Sequence, residues 1–237
     1  SVTLKEINHY RIEIKSMAKF IINKNYLPKE QMNLGPLFIV LSRSAKADDV
    51  EGADEVIKVL AARFPQAVLM NVSLTEMPAL TEDLSEVEQQ AWLDAVQPAW
   101  MEFIQEQQKE WLIESAATAL VGVGAVGSLV LELAKQSTPL AGRLIAFGSR
   151  FVSLPQEPIS LDQTLHLFHA ASDAEVDAKH SHIAQMAISN LEGDCTIDLI
   201  QGLDDSLDPS LITQMRVRLE TCIPLRILKE VHAASDK

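Results

Sequence analysis

The chain is poor in glycine, with nine in 237 residues, whereas proteins on average have about 7%. So few glycines argue against a fibrous chain, a flexible linker or a low-complexity segment. Three of the nine nevertheless stand in one run of six residues, 122–127. Because glycine is favoured where the backbone turns sharply or another group approaches closely, this run predicts such a turn.

Cysteine, long apolar runs and basic residues are also scarce. The two cysteines, Cys195 and Cys222, lack the spacing of a metal site, and no run approaches the roughly 18 apolar residues that would span a bilayer. The net charge of −13 argues against general binding to nucleic acid or to an anionic membrane. We therefore expect a cytoplasmic protein without cofactor or metal, whose partner is an unknown small molecule or protein.

Continuous apolar runs alternate with amphipathic stretches along most of the chain. Runs that are apolar at every position are typical of parallel strands buried on both faces, and here they cover 37–41, 67–72, 119–122, 144–147, 165–168 and 196–200. Helix-length stretches cover 50–63, 86–112, 127–136, 175–190 and 209–222. This alternation predicts an α/β fold, with a mostly parallel central sheet and helices on both faces.

The first 35 residues have a different pattern. Residues 9–15 alternate apolar and polar side chains, and the apolar group Phe20-Ile21-Ile22 follows shortly afterwards. Together they predict a short antiparallel pair of strands. We expect this extension, 1–35, to belong with the core, 36–237, to a single domain, because the length suits one α/β unit.

The glycine run has one possible meaning as a phosphate-binding turn. Gly122, Gly124 and Gly127 have the spacing of a dinucleotide-binding turn between a strand and a helix. The next predicted strand, however, is not followed by the acidic residue that would hold the ribose; Arg150 stands nearby and could meet only a 2′-phosphate. NAD or NADP binding at these three glycines is therefore an alternative interpretation.

The same strand, turn and helix also fit the nucleophile elbow of an α/β-hydrolase. From about residue 36 to residue 224 the chain resembles the small bacterial serine esterases of the carboxylesterase/phospholipase group in the α/β-hydrolase superfamily. The resemblance lies in the order and spacing of several blocks, at 37–41, 63–68, 119–132, 143–155, 165–173 and 196–200. It implies an α/β-hydrolase-like fold.

The resemblance also implies where the chemistry would lie. In that family an elbow serine attacks the ester, a histidine takes its proton and a carboxylate orients the histidine. Gly124 stands at the nucleophile position, Asp173 at the acid position and Asp205 at the histidine position. Ser42 and Ala125 stand at the positions of the oxyanion loop and the elbow donor.

These replacements predict a degenerate esterase without the catalytic serine and histidine. Its function would be to bind a small molecule or a protein in the inherited cleft. The alternative is an ester hydrolase of unusual mechanism. Two other residues could supply chemistry, but Ser128 falls inside the helix after the elbow and His232 lies beyond the last predicted helix.

The remaining titratable residues suggest one further cluster. His166 and His169 stand an odd number of positions apart in a predicted strand and so point to opposite faces, which argues against a shared metal ion. Asp173, Asp204 and Asp205 could converge beside Gly124 and bind a cation or an amine. In the simpler interpretation, Asp173 only forms a turn with its own backbone.

Overall fold

The computed structural model describes residues 19–29, 34–44, 46–75 and 84–235. Seven strands within these ranges form one sheet in the order β1-β3-β2-β4-β5-β6-β7. β1 pairs antiparallel with β3, and all other neighbours are parallel. The strands are β1 (Lys19–Tyr26), β2 (Leu37–Leu41), β3 (Val68–Thr75), β4 (Thr118–Val123), β5 (Arg143–Phe147), β6 (Thr164–Ala170) and β7 (Cys195–Ile200).

The helices lie between the strands or follow them. They are α1 (Ala47–Arg63), α2 (Glu86–Trp111), α3 (Gly127–Glu132), α4 (Lys179–Asn190), α5 (Pro209–Thr221) and α6 (Leu225–Ser235). Short 3₁₀ turns occupy Ser115–Ala117, Gly124–Val126 and Leu133–Lys135. Within the described ranges, no helix is both long enough and apolar enough to cross a membrane.

The core has two layers, one on each face of the sheet. In β2, Leu37, Ile39 and Leu41 belong to one buried cluster, and Phe38 and Val40 belong to the other. Helices α2, α3 and α4 contribute to the first cluster, whereas α1 and α5 contribute to the second. Because strands covered on both faces must be apolar at successive positions, this packing explains the continuous runs in the sequence.

The predicted α/β-hydrolase-like fold is confirmed, including a mostly parallel sheet with one antiparallel pair at its edge. The partner in that pair differs from the prediction, since Phe20 faces Leu74 of β3. Residues 9–15, the other half of the predicted pair, lie outside the described residues. The division into one domain with an extension at 1–35 remains a prediction.

Candidate active site

The chain turns sharply where β4 meets α3. Gly124 has a φ of 62° and begins the 3₁₀ turn that leads into α3. Residues with a side chain are strained at such a φ, so glycine suits this position. A Cβ on residue 124 would also lie 2.8 Å from Cδ of Arg43. The turn has the strand-turn-helix form of a nucleophile elbow, but its tip carries no side chain.

A cavity of about 210 Å³ lies above this turn. Its lining comes from the segments that follow the parallel strands: Gly124 after β4, Gly148 after β5, Asp173 after β6 and residues 204–206 after β7. Ligands of open α/β sheets bind at this carboxyl edge. The structure thus brings together Gly124, Asp173 and Asp205, the three positions that the resemblance gives to nucleophile, acid and histidine.

Asp173 makes two kinds of hydrogen bond. Its Oδ1 accepts from the backbone N–H groups of Glu175, at 2.9 Å, and Val176, at 3.0 Å, which forms a turn of the type expected from the sequence. Its Oδ2 accepts a short hydrogen bond from the hydroxyl of Ser206. Asp173 is therefore both a turn former and the partner of a cavity side chain.

Ser206, and not Asp205, contacts the acid. Asp205 lines the cavity, but its Oδ1 accepts from the backbone N–H of Leu207 at 2.9 Å. Asp204 also lines the cavity, so the three aspartates share one space. Sequence reasoning missed Ser206 because adjacent residues in a loop point in different directions, and the alignment selected the neighbouring position.

The loop after β2 contributes Arg43 to the cavity. Ser42 is buried and donates to Asn71 Oδ1 at 2.8 Å and to the Val72 carbonyl at 3.0 Å, so its side chain is directed into the core. Neither Ser42 nor Ala125 is among the residues that line the cavity. Successive side chains in an extended segment point to opposite sides, so a side chain of Ser42 directed into the core is the sequence signal that could have indicated Arg43 as the residue facing the cavity.

Arg43 forms an ion pair across the elbow. Its Nη1 lies 2.8 Å from Glu175 Oε1, and its Nε lies 3.1 Å from Asp49 Oδ1 without the geometry of a hydrogen bond. Burial acts to lower the pKa of Arg43, but the Glu175 and Asp49 carboxylates outweigh it, and the pKa is raised. The guanidinium thus carries a fixed positive charge beside Gly124.

The other candidate nucleophile and base lie elsewhere. Ser128 is buried in α3 and donates to the Arg150 carbonyl at 2.7 Å. His232 lies on α6, where its Nδ1 is 2.9 Å from the Leu228 carbonyl oxygen. Neither residue lines the cavity, and no histidine is found among the described residues that do.

His166 and His169 are both buried in β6 and have separate partners. His166 Nδ1 lies 2.7 Å from Thr196 Oγ1, whereas His169 bonds Ser181 Oγ and the Val176 carbonyl, each at 2.7 Å. Within the part of the chain that the structure describes, no group of three or more His, Cys, Asp or Glu residues is arranged to hold a metal ion.

Comparison with known proteins identifies the family. Residues 70–223 match the phospholipase/carboxylesterase family. The chain belongs to this family. It is 33% identical over 169 residues to Esterase YpfH of Escherichia coli (strain K12), an alignment that covers 68% of this chain and 72% of the relative.

Two solved esterases share the fold of this phospholipase/carboxylesterase family member. Esterase PE8 has a TM-score of 0.70 at 16% identity, covering 86% of this chain and 100% of that one. The Bacillus cereus carboxylesterase has a TM-score of 0.68 at 11% identity, covering 90% of this chain and 99% of that one. At these identities the likeness concerns the fold alone.

The prediction of a degenerate, non-catalytic pseudo-esterase is wrong, because the family match and the curated relative both point to an ester hydrolase. The physical reason lies in the cavity. A glycine at position 124 removes one nucleophile, but a hydroxyl and a carboxylate remain hydrogen-bonded to each other in the same space, on Ser206 and Asp173. Loss of the elbow serine therefore does not empty the site of reactive groups.

The dinucleotide interpretation gains no support at the glycine turn. Arg150, which would meet a 2′-phosphate, instead contacts Glu86 and Gln89 of α2, at 3.2 Å and 2.9 Å. A Cβ on Gly124 would lie 3.4 Å from Glu175 Oε2, so a carboxylate stands close to the place that a pyrophosphate would occupy. The Arg43 side chain is closer still, at 2.8 Å, so the Arg43–Glu175 ion pair occupies the space over the turn that a pyrophosphate would approach.

Proposed function

We propose that this protein hydrolyses carboxylic esters in the cavity above Gly124. The observation that carries the proposal is the 33% identity to a curated esterase over 68% of the chain. The cavity supports it, because it lies at the edge of the sheet where the resemblance puts the acid, and Asp173 is present there.

The cavity favours small, uncharged or cationic substrates. Its volume of about 210 Å³ is below the roughly 300–1,000 Å³ that hold drug-sized ligands, which suits a short acyl chain. Four carboxylates line it, from Asp173, Glu175, Asp204 and Asp205, against the single guanidinium of Arg43. An anionic ester would meet net repulsion there, whereas acetyl and butyryl esters of neutral alcohols would not.

Ester hydrolysis needs an attacking oxygen, a group that takes its proton, and a positive or N–H group beside the carbonyl oxygen. Residue 124 supplies no oxygen, so the attacking group must come from elsewhere in the cavity. Asp173 Oδ2 already accepts a hydrogen bond from the Ser206 hydroxyl. Arg43 is placed to stabilise the negative charge that develops on the carbonyl oxygen, since it extends over the elbow.

The test is hydrolysis of p-nitrophenyl acetate and butyrate by the wild-type chain and by Asp173→Asn. We expect turnover above the buffer rate, and a loss of about 10²-fold or more in kcat/KM for the variant, because an amide accepts protons poorly. Asp177→Asn is the matched control. Asp177 is an exposed turn-forming carboxylate whose Oδ1 accepts from Lys179 N at 2.9 Å, and an amide oxygen can keep that bond. Absence of turnover in the wild type would overturn the proposal, and equal rates for all three proteins would overturn the role of Asp173 in it.

A further inference from the structure

Ser206 stands out among the residues that surround the cavity. It carries the only hydroxyl on any described residue that lines this space. Its Oγ–H donates to Asp173 Oδ2, and its Oγ accepts the backbone N–H of Ala170 at 3.0 Å. Serine becomes a nucleophile when an adjacent base takes its proton, so this contact joins the two groups that acyl transfer requires.

The surroundings fix both partners in place. Two backbone N–H groups hold Asp173 Oδ1, which leaves Oδ2 for the serine. Gly148 lies directly beneath the pair, with a φ of 56°, and a Cβ there would lie 2.8 Å from Ser206 Cβ and 2.9 Å from Asp173 Oδ2. The absence of a side chain at residue 148 therefore allows the serine and the carboxylate to meet at the end of β5. Holding the reacting groups in one geometry lowers the entropic part of the activation free energy.

We propose that Ser206 is the nucleophile of this esterase and that Asp173 is its general base. The inference rests on the proposed ester hydrolysis and assigns its attacking oxygen. It assigns the covalent chemistry to the loop after β7, which lines the same cavity as the tip of the elbow.

The reaction balances in two steps. In the first, Ser206 Oγ bonds the acyl carbon, its proton passes to Asp173 Oδ2, and the ester C–O bond breaks as the leaving alkoxide takes that proton and departs as the alcohol. In the second, water attacks the acyl carbon and gives a proton to Asp173. That proton returns to Ser206 Oγ as the C–Oγ bond breaks, and the carboxylic acid leaves. Ester and water are consumed, and serine and carboxylate are regenerated.

The decisive experiment uses the wild-type chain with a fluorophosphonate probe, followed by peptide mass mapping of the adduct. We expect the adduct on Ser206, which needs no variant and so does not depend on whether a variant folds. Ser206→Ala should lose labelling and about 10²-fold or more of kcat/KM for p-nitrophenyl butyrate. Ser128→Ala, which removes a buried hydroxyl outside the cavity, should keep both.

The outcomes separate this inference from the proposed function. Turnover without an adduct on Ser206, and with full activity in Ser206→Ala, would overturn the inference and leave ester hydrolysis standing, with water as the attacking group. An adduct on Ser206 without turnover of the esters would support the nucleophile and overturn the proposed substrate class. Neither turnover nor adduct would overturn both.

Discussion

His166 makes the free energy of unfolding depend on pH, and a single substitution can separate its contribution from that of the other titratable groups. The imidazole is 1% exposed, and its Nε2 has no hydrogen-bond partner among the described residues. Burial first, and then the positive charges of Arg143 and Arg218, lower its pKa to about 3. A histidine in an unfolded chain has a pKa of about 6.5. Below that pH the unfolded chain binds a proton that the folded chain does not.

The sign and size of the effect follow from this difference. Stability falls as pH falls wherever the unfolded state binds more protons, so the loss begins near pH 6.5 and ends near the folded pKa of about 3. The limiting slope is about 1.4 kcal/mol per pH unit. Between pH 6.5 and pH 4.5 the free energy of unfolding should fall by about 2 kcal/mol on account of His166 alone, and the full loss is about 5 kcal/mol.

The assay is urea unfolding of the wild type and His166→Leu at pH 6.5, 5.5 and 4.5. Leucine cannot titrate, so the variant should lose about 2 kcal/mol less than the wild type over this range. Loss of the hydrogen bond to Thr196 lowers the variant's stability at every pH and does not affect the comparison of slopes. The pKa of His180 is also lowered, by burial and then by nearby cations, but His180 is present in both proteins. Equal slopes for the two proteins would refute the reasoning.

Two further predictions concern glycines at positive φ. Gly148→Ala should destabilise the fold by about 1–3 kcal/mol more than Gly202→Ala in urea unfolding. Both variants put a side chain at a left-handed φ, but of these two positions only residue 148 has atoms within 3 Å of the new Cβ. Equal losses of stability would show that neighbouring atoms move to relieve the crowding. Gly124→Ser should lower stability by about 1–2 kcal/mol, since its Cβ would displace Arg43. A fluorophosphonate should still leave no adduct at residue 124, because Ser206 and two backbone N–H groups already occupy the Asp173 oxygens; an adduct there, read by peptide mapping, would contradict this.

Much of the fold follows from sequence patterns, because burial on both faces of a sheet leaves a strong local signal. The predicted start of α5 at residue 209 agrees with the structure, in which Asp208 caps the helix by accepting from Ser210 N and Pro209 occupies its first turn. The sequence predicts that α4 begins at 175, whereas it begins at Lys179, because turns around Asp173 and Asp177 use the backbone N–H groups before it. Amphipathic periodicity does not reveal such side-chain turns.

The candidate site was less accessible to sequence reasoning. The resemblance led to Asp205 and Ser42, and in both cases the neighbouring residue is the one that meets another functional group in the cavity. Ser206 meets Asp173 and Arg43 meets Glu175 through contacts that span 33 and 132 residues of sequence. Matching sequence patterns does not distinguish one loop residue from the next, yet the difference of one position decides whether a side chain points into the cavity or bonds the backbone.

Gly124 keeps the strained backbone of an elbow although its tip carries no side chain. A serine at the elbow would have to bear a strained φ, at a cost of about 1–2 kcal/mol, and glycine adopts the same backbone without it. The space released there is partly taken by the Arg43 side chain, which brings a fixed positive charge over the cavity floor. A carbonyl oxygen attracted to that charge would have its carbon within the same small cavity as Ser206. In the proposed mechanism the Arg43 cation therefore occupies the elbow, and the nucleophile, Ser206, stands on the loop after β7 in the same cavity.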